Sequence, residues 1–240
     1  MDEHDQEPEK VLDVPIEHGA RTMESTVQSV GMKDKFLYFD VRGRGEAIRQ
    51  LMVLGGHPFE DVRISMEEWP GFKDQMPLGQ VPVLEVNGTK IGQSVAILRY
   101  LGHQLRRAGS TPLECARLDM IGEVVQEFTN TEGAGKLPAV LLGFIKADKE
   151  EFYKTKIVPD VDKYAPIIER FLLENGNNGL FSGDRETWVD IFAAETFSKL
   201  TDYASHDALD AYPRIQALIT RIHNIPAIKE HIAKRKPTPA

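Results

Sequence analysis

Pro82-Val83-Leu84-Glu85-Val86-Asn87-Gly88-Thr89-Lys90-Ile91 reads as a β-hairpin. Asn-Gly adopts the left-handed backbone that a two-residue turn needs, and apolar runs flank it. Pro82 opens the first strand, where a missing N–H is tolerated. Toward the C-terminus, a helix is expected from Ser94, with Val95, Leu98, Leu101 and Leu105 on one face and Ser94 as its N-cap. Toward the N-terminus, Phe36-Leu37-Tyr38-Phe39-Asp40 reads as a strand. It leads into a helix from about Arg44 that carries Ala47, Ile48, Leu51 and Met52 on one face and stops at Gly55-Gly56. Phe59, Val62 and Ile64 mark another strand, and Trp69-Pro70-Gly71-Phe72-Lys73 is expected in a loop. The order β-α-β, hairpin, α describes a small α/β domain over 34–110.

Beyond it the pattern is all-α, so the fold class is α/β followed by all-α, with a helical domain over 111–240. Thr111-Pro112-Leu113-Glu114 combines a capping box with Pro at the first helical position, and Leu118, Ile121, Val125 and Phe128 continue as an apolar stripe. A helix is expected across 149–174, ending near Asn175-Gly176. Thr187-Trp188-Val189-Asp190 is a second capping box, and Pro213 and Pro226 open two more helices. The position before the Thr187 cap is Glu186, so the usual hydrophobic staple is missing there.

The net charge of −8 is uneven. Residues 1–30 hold eight acidic residues against Lys10 and Arg21, and the rest is close to neutral. Residues 1–33 are expected to be an acidic mobile tail. A near-neutral body argues against nucleic-acid binding. No apolar stretch approaches the roughly 20 residues of a membrane helix. Cys115 is the one cysteine, so no intrachain disulfide and no cysteine-based metal site can form. This fits a reducing compartment, and a cytoplasmic location is expected; a secreted form would require a signal peptide removed ahead of Met1. Asn87-Gly88-Thr89 is a glycosylation sequon that would matter only in that form.

Gly43-Arg44-Gly45 after a strand invites comparison with dinucleotide-binding loops, but Ile48 stands where a third glycine is needed. A tyrosine at the end of a first strand, beside a helix start, is placed to donate to an anion. Read alone, Tyr38 is better explained as an aromatic that packs at a strand end.

Tyr38 with Gly43-Arg44-Gly45-Glu46, Trp69-Pro70 with Lys73, Gly79-Gln80-Val81-Pro82-Val83-Leu84 and Gln93-Ser94 with Ala96-Ile97 together resemble the cytosolic glutathione transferases. The sigma class, which includes the haematopoietic prostaglandin D synthases and many nematode enzymes, is most similar. The resemblance covers about 35–237 and implies a thioredoxin-like domain followed by a helical one.

It also implies roles. A thiol near its ordinary pKa of about 8.5 is mostly protonated at neutral pH, and a hydroxyl that donates to the thiolate lowers that value. Tyr38 would be this donor for glutathione, with Arg44 as a supporting cation. Trp69 and Lys73 would hold the glycyl carboxylate, with Gln80 as a further contact. A cis Val81–Pro82 peptide would present the Val81 backbone to the cysteinyl unit, and Gln93 and Ser94 would take the γ-glutamyl carboxylate. Glu127 would reach glutathione in the partner subunit of a homodimer. Glu123, Gln126 and Glu127 match an acidic cluster that binds a divalent cation in the prostaglandin D synthases; Gln126 removes a charge, so no metal is expected. Leu78 stands where other classes place an aromatic dimer key.

The reading is a glutathione transferase acting on a hydrophobic electrophile or peroxide, with isomerisation of prostaglandin H2 to D2 as the most specific option. The alternative is a non-enzymatic protein of this fold, a crystallin-like or ligand-carrying one. Cys115 and the histidines are read as packing or surface residues, and Lys234-Arg235-Lys236 as a cationic helix end.

Overall fold

The computed structural model describes residues 33–238. The expectation for the acidic tail lies outside the described residues. β1 (Asp34–Phe39), β2 (Phe59–Ile64), β3 (Val83–Val86) and β4 (Thr89–Gly92) form one sheet in the order β2-β1-β3-β4. β1 and β2 are parallel and the other neighbours antiparallel. Asn87 and Gly88 turn the hairpin with φ of 49° and 81°, and Val86 pairs with Thr89.

Helices α1 (Glu46–Leu54) and α3 (Ser94–Gln104) lie against this sheet, and the short α2 (Trp69–Lys73) leads to β3. The helical half runs α4 (Pro112–Phe128), α5 (Leu137–Leu141), α6 (Lys149–Phe152), α7 (Val158–Glu174), α8 (Trp188–Lys199), α9 (Pro213–His223) and α10 (Pro226–Lys234). The expected apolar faces are buried: Ala47, Ile48, Leu51 and Met52 on α1, and Leu118, Ile121, Val125 and Phe128 on α4. One core cluster spans both halves, from Phe36 to Ile228. Trp188 sits at its centre, and a Cβ at Gly102 of α3 or Gly122 of α4 would fall within 2.6 or 2.3 Å of its ring. Among the described residues no helix is long and apolar enough to cross a membrane.

Four local readings are corrected or extended. Residues 69–73 are helical rather than a loop. Ser65 and Glu68 exchange side-chain-to-backbone hydrogen bonds of 3.2 and 2.9 Å just upstream, and Pro70 suits a first helical turn. The helix expected over 149–174 is α6 and α7 joined by a π-helical turn, Tyr153–Ile157. Pro159, which has no N–H, falls in the first turn of α7, where none is required. The missing staple at Glu186 is replaced by charge, since Arg221 of α9 donates to its carboxylate at 3.1 and 3.2 Å. Arg235 is more than a helix-end cation: it donates to Glu46 at 2.8 Å.

Candidate active site

Tyr38 occupies the penultimate position of β1 and is 6% exposed. Its hydroxyl oxygen accepts the Arg44 backbone N–H at 2.8 Å. The glycines around Arg44 make this approach feasible. A Cβ on Gly43 would stand 2.4 Å from the Tyr38 hydroxyl oxygen, and one on Gly45 2.4 Å from the ring. Gly43 also has φ of +40°. Gly-Arg-Gly is therefore a slot for a phenol, and not a phosphate loop. Burial pushes the phenol's pKa above its ordinary value, against the Arg44 N–H and the Arg44 and Arg49 cations, which pull it down. The hydroxyl keeps its proton at neutral pH and can act as a donor.

A cavity of about 320 Å³ opens beside that hydroxyl. Its wall is mostly apolar, drawn from the β1–α1 loop, the end of α4, residues 134–144 and α8. Its charged lining residues are Arg44 and Lys199. The Arg44 guanidinium donates to the Thr129 carbonyl at 3.2 Å and Asn130 Oδ1 at 2.6 Å, tying the loop to the helical half.

The remaining sequence-nominated residues lie mainly in the segments at the end of the sheet where β1 finishes, after β2, before β3 and after β4. Trp69 packs edge-on to Phe39 with ring centroids 5.4 Å apart. Lys73 and Gln80 are exposed, and Lys73 makes no ion pair among the described residues. The Val81–Pro82 peptide is cis, and the Val81 backbone has no hydrogen-bond partner among the described residues.

Ser94 is not the N-cap of α3. Gln93 is, with φ of 69°, a backbone conformation that costs energy for a side-chain-bearing residue. Ser94 is the first helical residue, 4% exposed, and lines the cavity. No side chain caps α3. The Ser94 hydroxyl and the first N–H groups of the helix are thus left without protein partners, a donor set suited to a carboxylate.

Glu127 is exposed on α4 and lies outside the cavity, whereas its neighbour Gln126 lines it. Glu123 is paired with Arg99 at 2.8 Å. Among the described residues no group of three or more potential ligands is placed to hold a metal.

The helical half contributes what sequence reading missed. Phe192, Thr196, Lys199 and Tyr203 line the cavity. In sequence the first three belong to a helix buried along nearly all its length, and Tyr203 to the π-helical turn Leu200–Ala204 that follows it, so no period separates cavity residues from core. Beneath them Arg42, 2% exposed, makes a two-pronged contact with the fully buried Glu195 at 3.0 and 3.2 Å. Arg42 also reaches Asp202 at 2.6 Å and Ser198 at 2.8 Å, and Gln50 donates to Glu195 at 2.8 Å. This cluster pins the loop after Tyr38 to α8 across about 150 residues of sequence.

Family models for the glutathione S-transferase N-terminal and C-terminal domains match residues 34–103 and 142–235. The chain is 64% identical over 206 residues to a probable glutathione S-transferase, gst-36, of Caenorhabditis elegans, covering 86% of this chain and 98% of that one. It is 34% identical to the haematopoietic prostaglandin D synthase of Gallus gallus, covering 85% and 97%. The crystal structure of the glutathione S-transferase from Ascaris lumbricoides superposes with a TM-score of 0.80 at 36% identity, covering 87% of this chain and 100% of that one. The chain belongs to the glutathione S-transferase family: a thioredoxin-like domain with a mixed sheet, followed by a helical domain. Its cosubstrate is glutathione. The free hydroxyl of Ser94, the open α3 terminus, the unpaired Lys73 and the unbonded Val81 backbone fit that anionic peptide.

Proposed function

We propose that Tyr38 donates a hydrogen bond from its hydroxyl to the sulfur of bound glutathione and so holds it as a thiolate for attack on a hydrophobic electrophile or a peroxide oxygen. The observation that carries this reading is the Tyr38 hydroxyl itself. It is held from behind by the Arg44 N–H, and its own proton has no acceptor among the described residues and faces an apolar cavity. A hydrogen bond to a charged group is worth about 1.5–3 kcal/mol, enough to move a thiol pKa by one to two units.

In this reading Arg44 adds a cation near the sulfur, Trp69, Lys73 and Gln80 hold the glycyl end, Val81 pairs with the cysteinyl backbone, and Gln93 and Ser94 take the γ-glutamyl carboxylate. Glu127, exposed and outside its own cavity, serves the partner subunit's glutathione in a homodimer. The exposed Leu78 and Met120 supply apolar surface for that dimer. The sigma-like assignment rests on Leu78 and on the likeness to a prostaglandin D synthase, which also makes prostaglandin H2 the first substrate to screen. A cytoplasmic location fits the single half-buried cysteine, Cys115.

The test is the ultraviolet thiolate absorbance of bound glutathione against pH, in wild type and Tyr38→Phe. Thiolate persisting well below the free-thiol range in wild type, and lost in the variant, supports the mechanism. Coincident curves remove Tyr38 from the activating role. Glutathione retention without turnover of any electrophile supports the carrier reading instead.

A further inference from the structure

Lys199 ends α8 and is aimed at the loop that serves Tyr38. Its ammonium donates to the Gly43 carbonyl oxygen at 2.5 Å. That carbonyl and the Arg44 N–H belong to one peptide group, and the Arg44 N–H donates to the Tyr38 hydroxyl oxygen at 2.8 Å. The chain of donors therefore runs from Lys199, through one amide, to the phenol. We infer that Lys199 is a positioning residue for the thiolate: by polarising the Gly43–Arg44 amide it makes Tyr38 a stronger hydrogen-bond donor to glutathione sulfur. This rests on the role proposed for Tyr38.

The physics is that of cooperative hydrogen bonding. A cation on the carbonyl draws electron density from the amide, so its N–H becomes more acidic. An oxygen that accepts a stronger bond donates its own proton more readily. The surroundings hold Lys199 in this geometry. Glu195, one turn earlier on α8, lies 3.7 Å from the ammonium and is itself fixed by Arg42 and Gln50. Burial lowers the Lys199 pKa, as do Arg42 and Arg235, while Glu195 and Glu46 oppose them. The side chain also lines the cavity. Nothing in the sequence links positions 43 and 199.

The experiment compares the thiolate titration of bound glutathione in wild type, Lys199→Met, Lys199→Arg, Tyr38→Phe and the double variant Tyr38→Phe/Lys199→Met, with thermal unfolding to confirm each fold. Strengthening of one charged hydrogen bond of about 1.5–3 kcal/mol by 10–30% corresponds to about a 1.3- to 4.6-fold change in the thiol Ka. Lys199→Met is expected to raise the thiol pKa by that amount, Lys199→Arg to restore it, and Lys199→Met to add nothing in the Tyr38→Phe background. If Lys199→Met titrates like wild type while Tyr38→Phe does not, the inference falls and the Tyr38 mechanism stands. An additive effect in the double variant would overturn the relay through Tyr38, as would failure of Lys199→Arg to restore the wild-type curve. If Tyr38→Phe titrates like wild type, both fall together. Should Lys199→Met fail to fold, Lys199→Gln serves as the neutral variant, and the same comparison decides.

Discussion

Gly45→Ala should separate activity from stability. The added Cβ would stand 2.4 Å from Cδ1 of Tyr38, 2.8 Å from Cγ and 2.9 Å from Cε1, where ordinary contacts begin at 3.4 Å. The ring must retreat by about 1 Å. It has little room to do so: Phe36 stacks with it at a centroid distance of 6.3 Å, Phe39 tilts against it at 5.8 Å, and the Arg49 guanidinium lies 5.7 Å from its centroid. The open direction is the cavity, which carries the hydroxyl away from the Arg44 N–H. Overpacking costs about 1–3 kcal/mol. Because Gly45 has φ of −91°, alanine fits the backbone and restricts the unfolded chain, returning about 0.4–1 kcal/mol. The net stability loss is therefore about 0–2.6 kcal/mol. A 1 Å misplacement of a catalytic group costs about 100-fold, so kcat/KM should fall by that order. Steady-state conjugation of glutathione to a chromogenic aryl halide, with thermal unfolding alongside, is the assay. Activity within about twofold of wild type at unchanged Tm would show that Gly45 is not there for the ring, and the slot argument would fail.

Ser94→Ala should raise KM for glutathione about 10- to 100-fold with kcat nearly unchanged, because a bond made equally in ground and transition states is lost; a fall in kcat at constant KM would contradict the assigned role. Asp190→Ala should cost about 3 kcal/mol or more in urea unfolding. It strands the Phe181 N–H, the Thr187 N–H and the Thr187 hydroxyl, which now donate at 2.9, 2.7 and 2.6 Å; a loss below about 1 kcal/mol would mean those donors find other partners. Glu46, 1% exposed, joins α1 to α10. Burial pushes its carboxyl up, but His231 at 3.0 Å and Arg235 at 2.8 Å outweigh it and hold the pKa at about 2, down from 4.5. A depressed carboxyl contributes stability that is complete above 4.5 and lost as pH falls toward 2. The contribution is of the order of 3 kcal/mol. Glu46→Gln should be less stable at neutral pH and flatter across that acid window; an unchanged acid slope would refute the linkage.

The local framework was legible because its determinants lie within a few residues of each other. Asn87-Gly88 makes its turn by its own backbone preference, Thr111 and Glu114 cap α4 three positions apart, and Pro213 and Pro226 start their helices where no N–H is needed. Resemblance to a family nominated Tyr38, Trp69, Lys73, Val81 and Ser94 for one site, and the segments that carry them meet the sheet at the end where β1 finishes. Ser94 shows where such reading stops. Its residue type suits a cap, but the left-handed Gln93 brings the chain into α3 one position earlier and frees the hydroxyl.

The sequence by itself determined the order of the four strands, the hairpin, the starts of α4, α8, α9 and α10 and the tyrosine near the end of β1, since each depends on torsional preference and short-range periodicity. Tertiary structure alone decided which residues wall the cavity and what stands behind the tyrosine. Arg42 meets Glu195 and Lys199 meets Gly43 across more than 150 positions. No local propensity encodes such contacts, because they exist only once α8 has packed against the loop that follows β1.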